Sequence, residues 1–224
     1  MKMEILDLRA PLKNDAAAAA LRITEDEAAR QIELIQPLLR PRALLDEAFI
    51  QEKEKDSVLI GGVRFHSRVL AENLRNVEKA FPFILTIGDQ LEKRASEAGD
   101  ILDQYRLETL GDLALGAAGR ELEIFLKRYG MEKTASMSPG SLDDWPITEQ
   151  PFLFSLLEDG LPIDVRLTDS MLMIPRKSLS GFYFPTEIDF QSCRLCPREN
   201  CGGRRASYDP HLKARFFPGK PGPE

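Results

Sequence analysis

The stretch LTDSMLMIPRKSLSGFYF occupies residues 167–184. Its first half is small and polar, its second half apolar and aromatic. Residues 165–174 and 179–184 read as extended. Upstream lies a second short segment, Ser138-Pro139-Gly140, a proline–glycine turn. A tight turn, a small-residue loop and an aromatic strand together let backbone approach a flat polar ligand closely.

Working outward, the clearest buried strand is Phe83-Ile84-Leu85-Thr86-Ile87, ended by Gly88. Residues 4–8 alternate as a short strand, and 57–63 reads as a strand ending in a bend at Gly61 and Gly62. Alanine-rich 15–21 is helical by propensity. Thr24 and Glu27 fit a capping box, opening a helix toward Leu38 with Ile32, Leu34, Ile35 and Leu38 as its core stripe. Residues 44–50 read as a further helical stretch, and Leu70, Leu74 and Val77 mark another. Asp89 and Glu92 are placed as a second capping box.

Asp100 opens the longest helix, which runs to about Tyr129 with Gly130 just past its end. Gly111, Gly116 and Gly119 inside it predict close packing of another backbone, because glycine costs about 1 kcal/mol against alanine there. Thr148 is placed as the cap of a helix through Leu157 that ends at Gly160. Isolated strands separated by helix pairs predict an α+β fold, with a mixed or antiparallel sheet and helix pairs packed on it. The predicted organisation is an N-terminal strand and helices over 1–56, a core over 57–190, and a Cys-rich basic tail over 191–224.

The chain has 224 residues, 43% hydrophobic and 29% charged, enough for one large domain with a real core. Its net charge of −6 argues against bulk nucleic-acid binding. The tail is different, with seven basic and three acidic residues from Arg194 onward, a charge suited to an acidic partner or a phosphate. No apolar run reaches the ~20 residues of a membrane span, and residues 1–11 lack signal architecture, so cytoplasm is the expected compartment. No Walker loop, His-Glu-x-x-His motif or Ser–His–Asp order is present.

In order and spacing, the two opening segments resemble the activation domain of cobalamin-dependent methionine synthase. Pro139 and Gly140 match the family's turn, Tyr183 and Phe184 its aromatic pair, and Thr168, Ser170, Met173 and Pro175 the pattern between them. The resemblance is strongest over 136–185 and looser over 58–130. It departs at Ser141, where the family has tyrosine, and at Ser136, where it has arginine; the latter implies a substitute such as Arg166 or Arg176, weak binding, or no binding. The resemblance implies an activation-domain-like core that binds S-adenosylmethionine and supports reductive methylation of a cobalamin carried by a partner. That partner would be a cobalamin-dependent methionine synthase or a related corrinoid protein. The site residues it implies are Ser138, Pro139, Gly140, Gly181, Tyr183 and Phe184, with no catalytic side chain assigned. Such a ligand also needs a carboxylate for its cation, and Asp143, Asp144 and Glu149 are the sequence neighbours.

Cys193, Cys196 and Cys201 form a Cys-x2-Cys-x4-Cys group, with His211 ten residues on. Paired thiolates in a tight turn suit zinc, and three cysteines suit an iron–sulfur cluster with a fourth ligand from elsewhere. Pro197, Gly202 and Gly203 fit such a knuckle. Two alternatives follow. One is a metal-stapled interaction module of the same fold without methyl-donor binding; the other is a corrinoid redox activator working through an iron–sulfur centre.

Overall fold

A computed structural model describes residues 3–186, 190–201 and 204–217. In chain order the elements begin with β1 (Glu4–Asp7), α1 (Asn14–Leu21), α2 (Glu25–Ile35), β2 (Arg42–Leu45), β3 (Ala48–Lys53), β4 (Ser57–Ile60) and β5 (Val63–His66). Then come α3 (Arg68–Asn73), β6 (Lys79–Thr86), α4 (Gln90–Ser96), α5 (Ile101–Leu126) and β7 (Thr134–Met137). The chain continues through α6 (Gln150–Ser155), the two-residue strands β8 (Arg166–Leu167) and β9 (Met173–Ile174), β10 (Ser178–Pro185) and α7 (Pro210–Phe216). The fold is α+β, and every strand pairing described is antiparallel.

The centre of the sheet is β6 beside β10, in register Thr86↔Ser178 to Phe81↔Tyr183. All of β6 after Lys79 is buried, because both faces of the sheet are covered. Phe81, Phe83, Leu85 and Tyr183 point into the core shared with α1, α2, α4 and α5. Ala80, Phe182 and Phe184 point the other way, into a core with Val69 and Leu70 of α3, Leu153 of α6 and the loop residue Trp145. The period of two thus splits one apolar run between two cores. On α5 the buried residues Leu107, Leu110, Ala114, Ala117, Ala118, Leu122 and Leu126 recur every three or four positions and face the sheet.

The free edge of β6 pairs first with β2 and then with β3, and the two registers are continuous: Leu45↔Phe83 and Ala48↔Ala80. Residues 44–50 are therefore strand, not helix. The strand is interrupted at Asp46 and Glu47 because Asp46 stands opposite Pro82. The Asp46 N–H donates to the Pro82 carbonyl at 3.1 Å, but proline has no N–H to return the bond. Beyond the break β3 continues the eight-stranded sheet to β4 and β5. The predicted strand and its bend are β4 and a hairpin turn at Gly61 and Gly62, both with positive φ, which leads into β5 from Val63.

The Thr24–Glu27 capping box is present, with Glu27 N–H to Thr24 Oγ1 at 3.3 Å and Thr24 N–H to Glu27 Oε2 at 3.0 Å. Leu34 departs from the predicted stripe and is exposed; Ile35 is buried. The second predicted box is absent. Asp89 makes no cap bond and pairs with Lys93 at 2.5 Å, while Glu92 reaches across to Arg176. Thr148 lies inside a 3-10 turn, Ile147–Glu149, and α6 starts two residues later. Residues 165–174 turn back on themselves as the β8–β9 hairpin. The small face of α5 meets side chains rather than another backbone: a Cβ on Gly111 would lie 3.2 Å from Lys177 Cε and 3.3 Å from Leu91 Cδ2. Gly116 meets only Arg120 of its own helix. The knuckle glycines Gly202 and Gly203 lie outside the described residues.

Candidate functional site

The Ser138–Pro139–Gly140 turn directly follows β7, and β7 pairs with the end of β10 (Met137↔Phe182, Ala135↔Phe184). Pro139 in second place and Gly140 in third, with φ +80°, make a type II turn closed by Ser141 N–H to the Ser138 carbonyl at 3.1 Å. Gly181 abuts it. A Cβ there would stand 2.3 Å from the Met137 carbonyl oxygen and 2.8 Å from Ser138 Oγ, so only glycine fits between the strands. The two segments singled out in the sequence are therefore adjacent.

Their side chains and amides are engaged elsewhere. The Gly140 N–H donates to the Trp145 carbonyl at 2.7 Å, so neither it nor the Ser141 amide is open to an anion. Phe184 is fully buried, and Phe182 lies parallel to Trp145 with ring centroids 6.0 Å apart. Tyr183 is 5% exposed, its ring tilted against Phe83 at 4.5 Å between centroids on the opposite face. Burial pushes its hydroxyl pKa up, and the charge of Glu123 adds to this. The aromatic pair expected to offer an open face is thus divided between two cores.

The sequence-neighbour carboxylates are likewise committed. Asp144 accepts from Ser67 Oγ at 2.6 Å and the Val69 N–H at 2.9 Å, tying the turn loop to the start of α3. Glu149 accepts the His66 N–H at 2.8 Å and pairs with His66 Nδ1 at 2.9 Å. Asp143 is exposed. Arg176 is held by Glu92 and Glu108, each at 2.7 Å, and Lys177 by Glu108 at 2.8 Å and Asp112 at 2.5 Å. Arg166 is exposed.

A cavity of about 320 Å³ opens beside β6, lined by Glu4, Leu45, Asp46, Glu47, Phe49, Phe81 and Tyr129. Phe81 is the register partner of Tyr183, so this cavity lies one strand from the predicted aromatic segment. The break opposite Pro82 turns Asp46 into it. Asp46 is 5% exposed; its Oδ1 accepts the Glu47 N–H at 2.7 Å, and no cationic side chain among the described residues pairs with it. Burial holds its carboxyl above the ordinary value, against the lowering effect of that amide. Tyr129 donates to Glu4 at 2.5 Å, and this bond, with burial, pushes its pKa up to about 12. Phe81 and Tyr129 are 5.4 Å apart.

Three carboxylates and three aromatic rings line it and no basic residue does, a lining that favours a cation over an anion. Lys79 already shows the preference at the rim: its ammonium sits 4.9 Å over the Phe49 ring and pairs with Glu47. Sequence reasoning missed Asp46 because 44–50 was read as helix. The available signal was Pro82 inside the strongest strand, which demands an irregular partner.

A larger cavity of about 810 Å³ lies where the tail packs on the core, between Asn76, Met131, Lys133, Phe190, Arg194 and Arg215 among others. None of the six predicted ligand residues lines either cavity. Cys193 and Cys196 are half-buried, Cys201 is exposed, and all three are free thiols. With His211 they do not gather into a metal-holding group: among the described residues no three His, Cys, Asp or Glu side chains converge. No helix among the described residues is long and apolar enough to cross a membrane.

No protein-family profile and no curated protein matches the chain. Among solved structures it is similar to the crystal structure of the MetH reactivation domain bound to AdoHcy, with a TM-score of 0.61 at 14% identity. The match covers 86% of this chain and 81% of that one. The protein therefore has the α+β fold of a methionine synthase reactivation domain.

Proposed function

We propose that the chain binds S-adenosylmethionine in the cavity around Asp46 and serves a cobalamin-dependent methionine synthase, or a related corrinoid protein, as an accessory for reductive methylation. The observation that carries the reading is the buried Asp46 carboxylate, without a cationic partner among the described residues, in an aromatic cavity of a fold whose solved neighbour holds AdoHcy. Asp46 takes the ligand's ammonium, and Phe81 and Tyr129 line its path. About 320 Å³ suits the ligand's two cationic groups, the ammonium and the sulfonium, with its carboxylate held outside the acidic lining, since ligand sites run from roughly 300 Å³ upward. Phe49, 54% exposed, offers a rim surface for the nucleoside.

S-adenosylmethionine supplies a sulfonium methyl group, and the cobalamin that receives it belongs to the partner. The residues of this chain bind and orient, fixing the donor relative to the partner's cobalt. Calorimetric titration with S-adenosylmethionine tests this. Binding by the native chain, weakened about tenfold or more in Asp46→Asn, supports it, because a hydrogen bond to a charged group contributes roughly 1.5–3 kcal/mol. No heat at millimolar ligand, or equal affinity in the variant, overturns it.

The internally satisfied amides of Gly140 and Ser141 favour a second reading, an interaction module of this fold without a methyl donor. Association with a cobalamin-dependent methionine synthase in the absence of any ligand heat selects it.

A further inference from the structure

The tail carries a second arrangement that methyl-donor binding does not use. Cys193 lies in the 3-10 turn Ser192–Arg194, and the Cys196 N–H donates to the Cys193 carbonyl at 3.3 Å. A turn closed between residues three apart holds their Cα atoms within about 7 Å, and disulfides span roughly 4.4–6.8 Å.

The middle of this loop is filled by the Arg204 guanidinium. One nitrogen donates to the carbonyls of Cys193 at 3.1 Å and Ala206 at 3.2 Å; the other donates to the carbonyl of Cys196 at 3.3 Å and to that of Arg198. Arginine keeps its charge at all working pH values, so a cation organises the knuckle without drawing the sulfurs inward. A divalent metal at the same place would be repelled by it. Cys193 Sγ instead accepts the Arg205 N–H at 3.5 Å. Cys201 stands apart as the exposed thiol. Arg194, between the paired cysteines, lines the 810 Å³ cavity and pairs at 2.8 Å with Asp209, the residue that caps α7.

We propose that Cys193 and Cys196 are a reversible dithiol–disulfide pair that exchanges with small-molecule disulfides of the glutathione class. One cysteine of the pair attacks glutathione disulfide, whose S–S bond breaks and releases one glutathione. The second cysteine then attacks the mixed disulfide, forming the Cys193–Cys196 bond and releasing the second glutathione. Two electrons pass from the pair to the glutathione disulfide, and the two thiol protons leave on the two glutathiones.

The test equilibrates the full chain in anaerobic glutathione buffers of graded ratio, then alkylates and maps the thiols by mass spectrometry. The expected result is a single Cys193–Cys196 disulfide with Cys201 alkylated, unchanged in Cys201→Ser. Arg204→Leu, which frees the loop, is expected to shift the equilibrium toward the dithiol about tenfold, roughly 30 mV. Far-ultraviolet circular dichroism checks that each variant is folded. Thiols that stay alkylatable at every ratio, disulfides that include Cys201, an unshifted Arg204→Leu, or stoichiometric zinc or iron shielding the thiols would each overturn the proposal. The readout is independent of S-adenosylmethionine binding, so either proposal can fail without the other.

Discussion

Two residues carry opposite kinds of constraint. Gly181 is required for fold, since any Cβ would collide with the Met137 carbonyl at 2.3 Å. Gly181→Val is expected to cost about 1–3 kcal/mol, the usual range for overpacking, read as a lowered urea midpoint. Asp46 behaves the other way. Its folded pKa lies above the ordinary 3.8, so its ionised form is disfavoured by folding and costs stability at neutral pH. Asp46→Asn is therefore expected to raise the melting temperature at pH 7 while weakening ligand binding. A carboxylate kept only for structure would give a lower melting temperature on substitution.

At the scale of elements, helix starts and sheet edges differ in how local their causes are. The Thr24–Glu27 box depends on residues three apart and was legible in the sequence. Thr24→Ala is expected to destabilise by about 1 kcal/mol, measured by thermal unfolding. The same pattern at Asp89 and Glu92 failed because tertiary partners competed: Lys93 took Asp89 and Arg176 took Glu92. The strand over 42–53 was misread for a similar reason. Its character comes from pairing with β6, and its break comes from Pro82, 36 positions away from Asp46 in sequence. The hairpin of β8 and β9 likewise reflects contact rather than propensity.

For the whole molecule, the β10 start is clamped to α4 and α5 by Glu92, Arg176, Glu108, Lys177 and Asp112. Burial raises Glu108, but its bonds from Lys177 and Arg176 outweigh this and leave its pKa below the ordinary 4.5. A carboxylate with a depressed folded value stabilises above its unfolded value and loses that contribution as pH falls through the folded one. Burial pulls Lys177 down, and Asp112 and Glu108 more than restore it, above 10.5. Its contribution is complete below 10.5 and is lost as pH rises through the folded value. The clamp's contribution is thus expected to be flat between these limits and to fall below about pH 4.5 and above about 10.5. Glu108→Gln should lower the plateau and flatten the acid limb in a melting-temperature series. An acid limb identical to that of the native chain would show that the clamp contributes nothing there.

What the sequence determined by itself was the set of local events and the fold class: the long α5 with its alternating small and large positions, the Thr24 cap, the buried run of β6, and the Ser138–Pro139–Gly140 turn. These depend on propensities and periodicities within a few residues. Tertiary structure alone decided which side chains remain free. Tyr183 and Phe184 were spent on opposite cores, Asp144 and Glu149 on anchoring α3 and β5, and Arg204 filled the cysteine loop. A side chain is available for a ligand only when no neighbour of its own chain satisfies it, and those neighbours are set by long-range pairing. Asp46 kept its carboxylate because a proline on the facing strand broke the ladder and turned it toward an aromatic cavity.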